Sequence, residues 1–78
     1  MEVSIINLKK GQKDTQQPHS FDEIYYIING YGTIEINGIN NDVHTGKIIY
    51  IPKNVRHSFH ANSDKIIVLY VISGSFLN

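Results

Sequence analysis

Cysteine is absent from this sequence. No disulfide can brace the chain, no thiolate can ligate a metal, and no cysteine nucleophile is available. Excess charge is missing as well: seven Lys or Arg stand against seven Asp or Glu, beside four His. Phosphate recognition needs a clustered basic face, so nucleic acid is not an expected partner. The one basic run, Lys9-Lys10 with Lys13, reads as a solvated turn. No apolar stretch approaches a membrane span, and Met1-Glu2-Val3 lacks the basic start and apolar core of a secretory leader. No membrane partner is therefore expected, and a soluble, cytoplasmic protein is the default. Alanine occurs once, and no ten-residue segment shows helical periodicity.

What remains is β composition. Ile, Val, Tyr and Thr fill the apolar positions, and Gly or Asn punctuates at short intervals. Val3 to Leu8 reads as a first strand and Lys9 to Thr15 as a polar loop around Gly11. Glu23 to Asn29, Glu-Ile-Tyr-Tyr-Ile-Ile-Asn, is the strongest strand. Thr33 to Ile36 and Ile39 to Val43 flank Asn37-Gly38, a pair suited to a type I′ hairpin because both central residues need positive φ. Thr45-Gly46 is a further turn. Lys47 to Ile51, Arg56 to Ala61 and Lys65 to Ile72 complete the set. Six to eight short strands with frequent turns indicate an all-β sandwich or barrel. Seventy-eight residues fit one domain, 1–78, without linker or repeat.

Two strands are apolar on both faces. Alternation puts Tyr25 and Ile27 beside Glu23 on one face of its strand, and Ile24, Tyr26 and Ile28 on the other. Ile66 to Ile72 has the same two-sided character. A chain this short buries only about 60% of its unfolded surface, so a bound ion, a partner subunit or both must add stability. A homodimer covering the second face is the expected partner arrangement.

Four polar residues fit poorly into such a core: Gln17, His19, Glu23 and His57. Gln17 and His19 face the same way on an extended segment. Glu23 is four residues on, about 13 Å along a straight strand, whereas two ligands of one ion lie within about 4 Å of each other. The chain must therefore turn at Ser20-Phe21-Asp22. Pro52-Lys53-Asn54-Val55-Arg56 reads as a tight loop delivering His57, since Pro fixes φ and Asn tolerates the left-handed region. His57, Phe59 and Ala61 then share an inward face. Two imidazoles and one carboxylate make a facial triad suited to Fe(II) and related ions, with Gln17 able to add a neutral oxygen. Tyr25, on Glu23's face, is a candidate pocket residue, as are Phe59 and Arg56, the last as an anion contact. His44 and His60 fit no such pattern, and His60 should face outward.

The spacings Gly11-x5-Gln17-x-His19-x3-Glu23-x6-Gly30 and Gly46-x5-Pro52-x-Asn54-x2-His57-x3-Ala61 resemble the two motifs of the cupin family. The resemblance implies a double-stranded β-helix (jelly-roll) barrel, frequently dimeric, with His19, Glu23 and His57 as metal ligands. Three positions depart from the family pattern. Gln17 stands where a His is expected, Asn54 where Gly is, and Ala61 where Asn is.

Each histidine alone would be an ordinary strand-edge or core residue, Glu23 a rim carboxylate, and Pro18 with Asp22-Glu23 the start of a helix. Their joint spacing and the run Ile24 to Ile28 favour the site. Three functions stay open. The first is a metal-dependent enzyme, an isomerase, lyase or dioxygenase, acting at one divalent transition metal (Fe, Mn, Ni, Co or Zn) on a small enol, carbonyl or sugar-acid ligand. The second is a sensor-type module binding a small molecule without turnover. The third is a structural dimer with a vestigial site.

Overall fold

A computed structural model describes residues 1–16 and 20–73. Eight strands run in order: β1 Glu2–Lys9, β2 Lys13–Gln16, β3 Glu23–Asn29, β4 Tyr31–Ile36, β5 Ile39–His44, β6 Ile48–Ile51, β7 His57–Ala61 and β8 Lys65–Ile72. They form two four-stranded sheets, β1-β8-β3-β6 and β2-β7-β4-β5, with antiparallel pairing throughout. Successive strands mostly alternate between the sheets, so each sheet closes over the other as a jelly roll.

The elements follow from local chemistry. In β3 the inward set Glu23, Tyr25 and Ile27 is buried, and the alternate Ile24, Tyr26 and Ile28 are exposed. Period-2 alternation has thus sorted the strand into an inner and an outer apolar face. Asn37 and Gly38 take φ of 50° and 82°, joining β4 to β5 by the primed turn that their types allow. Gly30 has φ of 104°, and a Cβ there would stand 2.3 Å from the Lys65 carbonyl oxygen. Only glycine fits that crossing between β3 and β4.

One segment departs from the sequence reading. Lys9 to Thr15, expected as a loop, turns at Gly11 and then pairs with β7 from Lys13 to Gln16. Gly11 N donates to the Ala61 carbonyl (3.0 Å) and Ala61 N to the Gln12 carbonyl (3.1 Å), which sets the register. An edge strand needs no alternating apolar pattern, so its polar sequence hid it.

Between the sheets lies the core. Tyr25, Ile27, Ile66 and Val68 from one sheet meet Ile34, Val43, Phe59 and Ala61 from the other, all at most 2% exposed. Tyr25 is the hub: its ring lies 5.1 Å from Phe59 and 6.0 Å from Tyr70, both edge-on, the geometry aromatic quadrupoles favour. Among the described residues, no helix is long and apolar enough to cross a membrane.

Candidate metal centre

Glu23 opens β3 on one sheet, and His57 opens β7 on the other. Glu23 pairs with Ile51 and Ile72, while His57 pairs with Gln16 and Ile36. Both face into the barrel at the same end. Glu23 is 3% exposed and His57 2%, far below what these residue types usually tolerate without partners.

The loop that delivers His57 is tied to the start of β3. Lys53 N donates to Asp22 Oδ1 (2.9 Å), and Asn54 adopts φ of 64°. Asparagine tolerates this left-handed conformation, so it serves where the family pattern has glycine. Two residues upstream of His57, the Val55 carbonyl lies 3.0 Å from His57 Nδ1. Nδ1–H donating there fixes the tautomer and directs Nε2 into the barrel, the arrangement seen when an imidazole presents Nε2 to a metal.

His57 Nε2 and Glu23 Oε2 are 3.5 Å apart, within the separation that two ligands of one ion require. The Tyr25 hydroxyl joins them, 2.6 Å from Glu23 Oε2 and 2.8 Å from His57 Nε2. The hydroxyl donates to the carboxylate and so links it to the imidazole.

The structure thus brings together Glu23, His57, Tyr25 and Phe59. Arg56 is exposed, on the residue before His57 and so on the opposite side of the chain from it. Gln17 and His19 lie outside the described residues. Among the described residues, no three His, Cys, Asp or Glu side chains gather closely enough to hold an ion; Glu23 and His57 are a pair. As a donor set, one carboxylate and one Nε2 imidazole suit a divalent transition metal. The bridging role of Tyr25 and the Val55 carbonyl were not read from sequence. Tyr25's place two residues from Glu23 on one strand face was the available signal for the first. His60 is exposed, with Nδ1 2.8 Å from Asn62 Oδ1.

A surface groove of about 630 Å³ lies at the far end of β3, lined by Asn29, Tyr31, His44, Ser63 and Lys65 among others. Its polar groups serve turns: Ser63 Oγ donates to the Lys65 carbonyl (2.8 Å), and Thr45 Oγ1 accepts from Gly30 N (3.0 Å). Chemistry points instead to the Glu23–His57 end, where buried titratable groups converge.

A family described as the cupin domain matches residues 4–74. An uncharacterised protein of Streptomyces coelicolor is 36% identical over 73 residues, covering 94% of this chain and 70% of that protein. An acireductone dioxygenase of Bacillus cytotoxicus is 30% identical over 69 residues, covering 82% of this chain and 38% of the enzyme. A solved structure of a Photorhabdus luminescens protein superposes with a TM-score of 0.88 at 20% identity, over 94% of this chain and 62% of that one. That likeness is one of fold. The chain spans less than two thirds of the length of the last two.

Proposed function

The chain belongs to the cupin family, and from that premise we propose that its barrel binds one divalent transition metal and works on a small oxygen-rich molecule of enol, carbonyl or sugar-acid type. The observation that carries this is the 3.5 Å approach of Glu23 Oε2 to His57 Nε2 in a buried setting. His19 and Gln17, at the family's ligand spacings in the sequence, complete the set of residues that would hold the ion. A bound divalent ion supplies Lewis acidity toward substrate oxygens. The remaining chemistry belongs to the chain. Tyr25 Oη, in hydrogen-bond reach of both ligands, can hold or hand over a proton. Phe59 and the surrounding aliphatic residues keep water from that end of the barrel. The relative named as an acireductone dioxygenase favours the enol class and an oxygenase reaction, while isomerase or lyase chemistry uses the same groups.

Gln17 supports a second reading, a sensor-type module that binds such a molecule without turnover. A neutral amide in place of an imidazole is a weaker ligand, which suits retention of a ligand better than repeated catalysis.

The test is elemental analysis of protein purified without a metal-affinity tag, before and after loading with Fe, Mn, Ni, Co or Zn. Near one equivalent is expected for the parent, and under about a tenth for His57→Ala. Less than that in the parent after loading overturns the metal reading. With metal present, oxygen uptake on enol-type compounds separates the oxygenase from the isomerase or lyase. Tight binding with no turnover of any kind selects the sensor.

A further inference from the structure

Pro52 to Arg56 carry the chain from β6 in one sheet to His57 at the head of β7 in the other. The passage starts beside one candidate ligand, since Ile51 pairs with Glu23, and it ends on the second. None of these five residues lies in a strand, and Pro52 has no N–H to offer. Their placement therefore depends on contacts from outside the segment. The Arg56 carbonyl accepts from Asn37 N (2.9 Å), but the β4–β5 turn belongs to the sheet that already carries His57. Lys53 N donates to Asp22 Oδ1 (2.9 Å). That contact ties the segment to the sheet that carries Glu23, one residue away from the carboxylate itself.

Asp22 is held from several sides. Its N donates to Ser73 Oγ (3.1 Å), and its carbonyl accepts from Ser73 N (3.0 Å). These bonds extend the β3–β8 pairing one residue beyond Glu23 and Ile72. The Tyr50 hydroxyl donates to the Asp22 carboxylate. Alternation along the chain turns the Asp22 side chain away from the face on which Glu23 points inward. Accordingly Asp22, Glu23 and His57 do not gather closely enough to hold one ion.

We propose, resting on the metal reading above, that Asp22 is the positioning residue of this centre: without touching the ion, its carboxylate clamps residues 52–56 and so sets the separation of Glu23 and His57. Two ligands of one ion lie within about 4 Å of each other, so a loop free to shift loosens the site. Loss of an orienting partner outside the ligand set costs about 10–100-fold in metal affinity. A clamp and a simple attraction for the cation make different demands. A clamp needs an acceptor at the reach of an aspartate, whereas attraction needs only the charge. Asparagine keeps an acceptor oxygen at that reach and gives up the charge. Glutamate keeps the charge and moves the oxygens one methylene further out.

The test titrates tag-free parent, Asp22→Ala, Asp22→Asn and Asp22→Glu with Zn(II) against a competing chelator. Asp22→Asn should bind within about threefold of the parent, since it retains a neutral hydrogen bond. Asp22→Ala and Asp22→Glu should each lose about 10–100-fold. Should Asp22→Ala fail to fold, Asp22→Glu carries the comparison. A second reading needs no metal. In chelator-stripped protein the His57 and Tyr25 rings, with centroids 5.7 Å apart, should show nuclear Overhauser contacts in the parent and in Asp22→Asn. The same contacts should weaken in Asp22→Ala and Asp22→Glu. Parent affinity in Asp22→Glu with loss in Asp22→Asn makes the carboxylate a source of charge and overturns the proposal. Parent affinity in a folded Asp22→Ala overturns it too, as do ring contacts unchanged across all four proteins. A parent that binds no Zn(II) counts against the metal reading instead, and the ring contacts then decide whether Asp22 sets the geometry.

Discussion

Glu23 and His57 stand on different sheets, yet the carboxylate and the imidazole approach to 3.5 Å, with the Tyr25 hydroxyl touching both. Neither strand could create that approach alone. It exists because the loop before β7 is anchored to Asp22, the residue before Glu23. The chemistry of this end of the barrel therefore depends on the sandwich being closed, and the predictions below separate ligand, bridge and scaffold.

Tyr25→Phe removes the bridging hydroxyl and keeps the ring packed on Phe59 and Tyr70. Loss of a buried hydrogen bond costs about 1–3 kcal/mol. In protein stripped by a chelator the full loss is expected in denaturant unfolding. In metal-loaded protein it should fall to less than half, because the ion then engages Glu23 and His57. Equal losses in the two states would contradict a shared place for hydroxyl and ion.

Loading the site should release protons. Ligands bind a cation deprotonated, so protons held at Glu23 and His57 must leave as an ion enters. Calorimetric titration in buffers of different ionisation enthalpy is expected to show about one proton or more leaving per ion. A binding heat independent of the buffer would show that no proton leaves with the ion.

Metal should also act on stability. A ligand that binds only the folded state at a hundred times its Kd adds about 2.7 kcal/mol. Excess chelator is accordingly expected to lower the thermal midpoint of the parent and to leave His57→Ala unchanged. A chelator effect of equal size in both would mean that the stabilising ion sits elsewhere.

Two glycine variants test the scaffold. Gly30→Ala would drive a Cβ to 2.3 Å from the Lys65 carbonyl oxygen, at φ of 104°. Strain and overpacking together should cost roughly 2–5 kcal/mol. Gly38→Ala meets nothing within 4 Å and suffers only its positive φ, at about 1 kcal/mol. Urea midpoints in the opposite order would show that the β3–β4 crossing is looser than its geometry.

Much of this was legible in the chain. Glu23 to Asn29 and Lys65 to Ile72 are strands with the bounds read from composition, because β-branched runs ended by Gly, Ser or Asp leave little alternative. Asn54 takes the positive φ that its type and its place after Pro52 suggested. β2 was missed because its order comes from backbone pairing with β7 and not from its own residues.

The sequence by itself determined the β class, the Asn37-Gly38 hairpin, and the face on which each strand residue lies. Those are properties of φ, ψ and period-2 alternation, set by immediate neighbours. Only the tertiary structure decided which sheets the strands join, that Tyr25 bridges the Glu23 carboxylate and the His57 ring, and which apolar face is left outside. Such contacts join residues far apart in the chain. Their formation depends on summed burial and on sheet pairing across loops, which no local run of residues encodes.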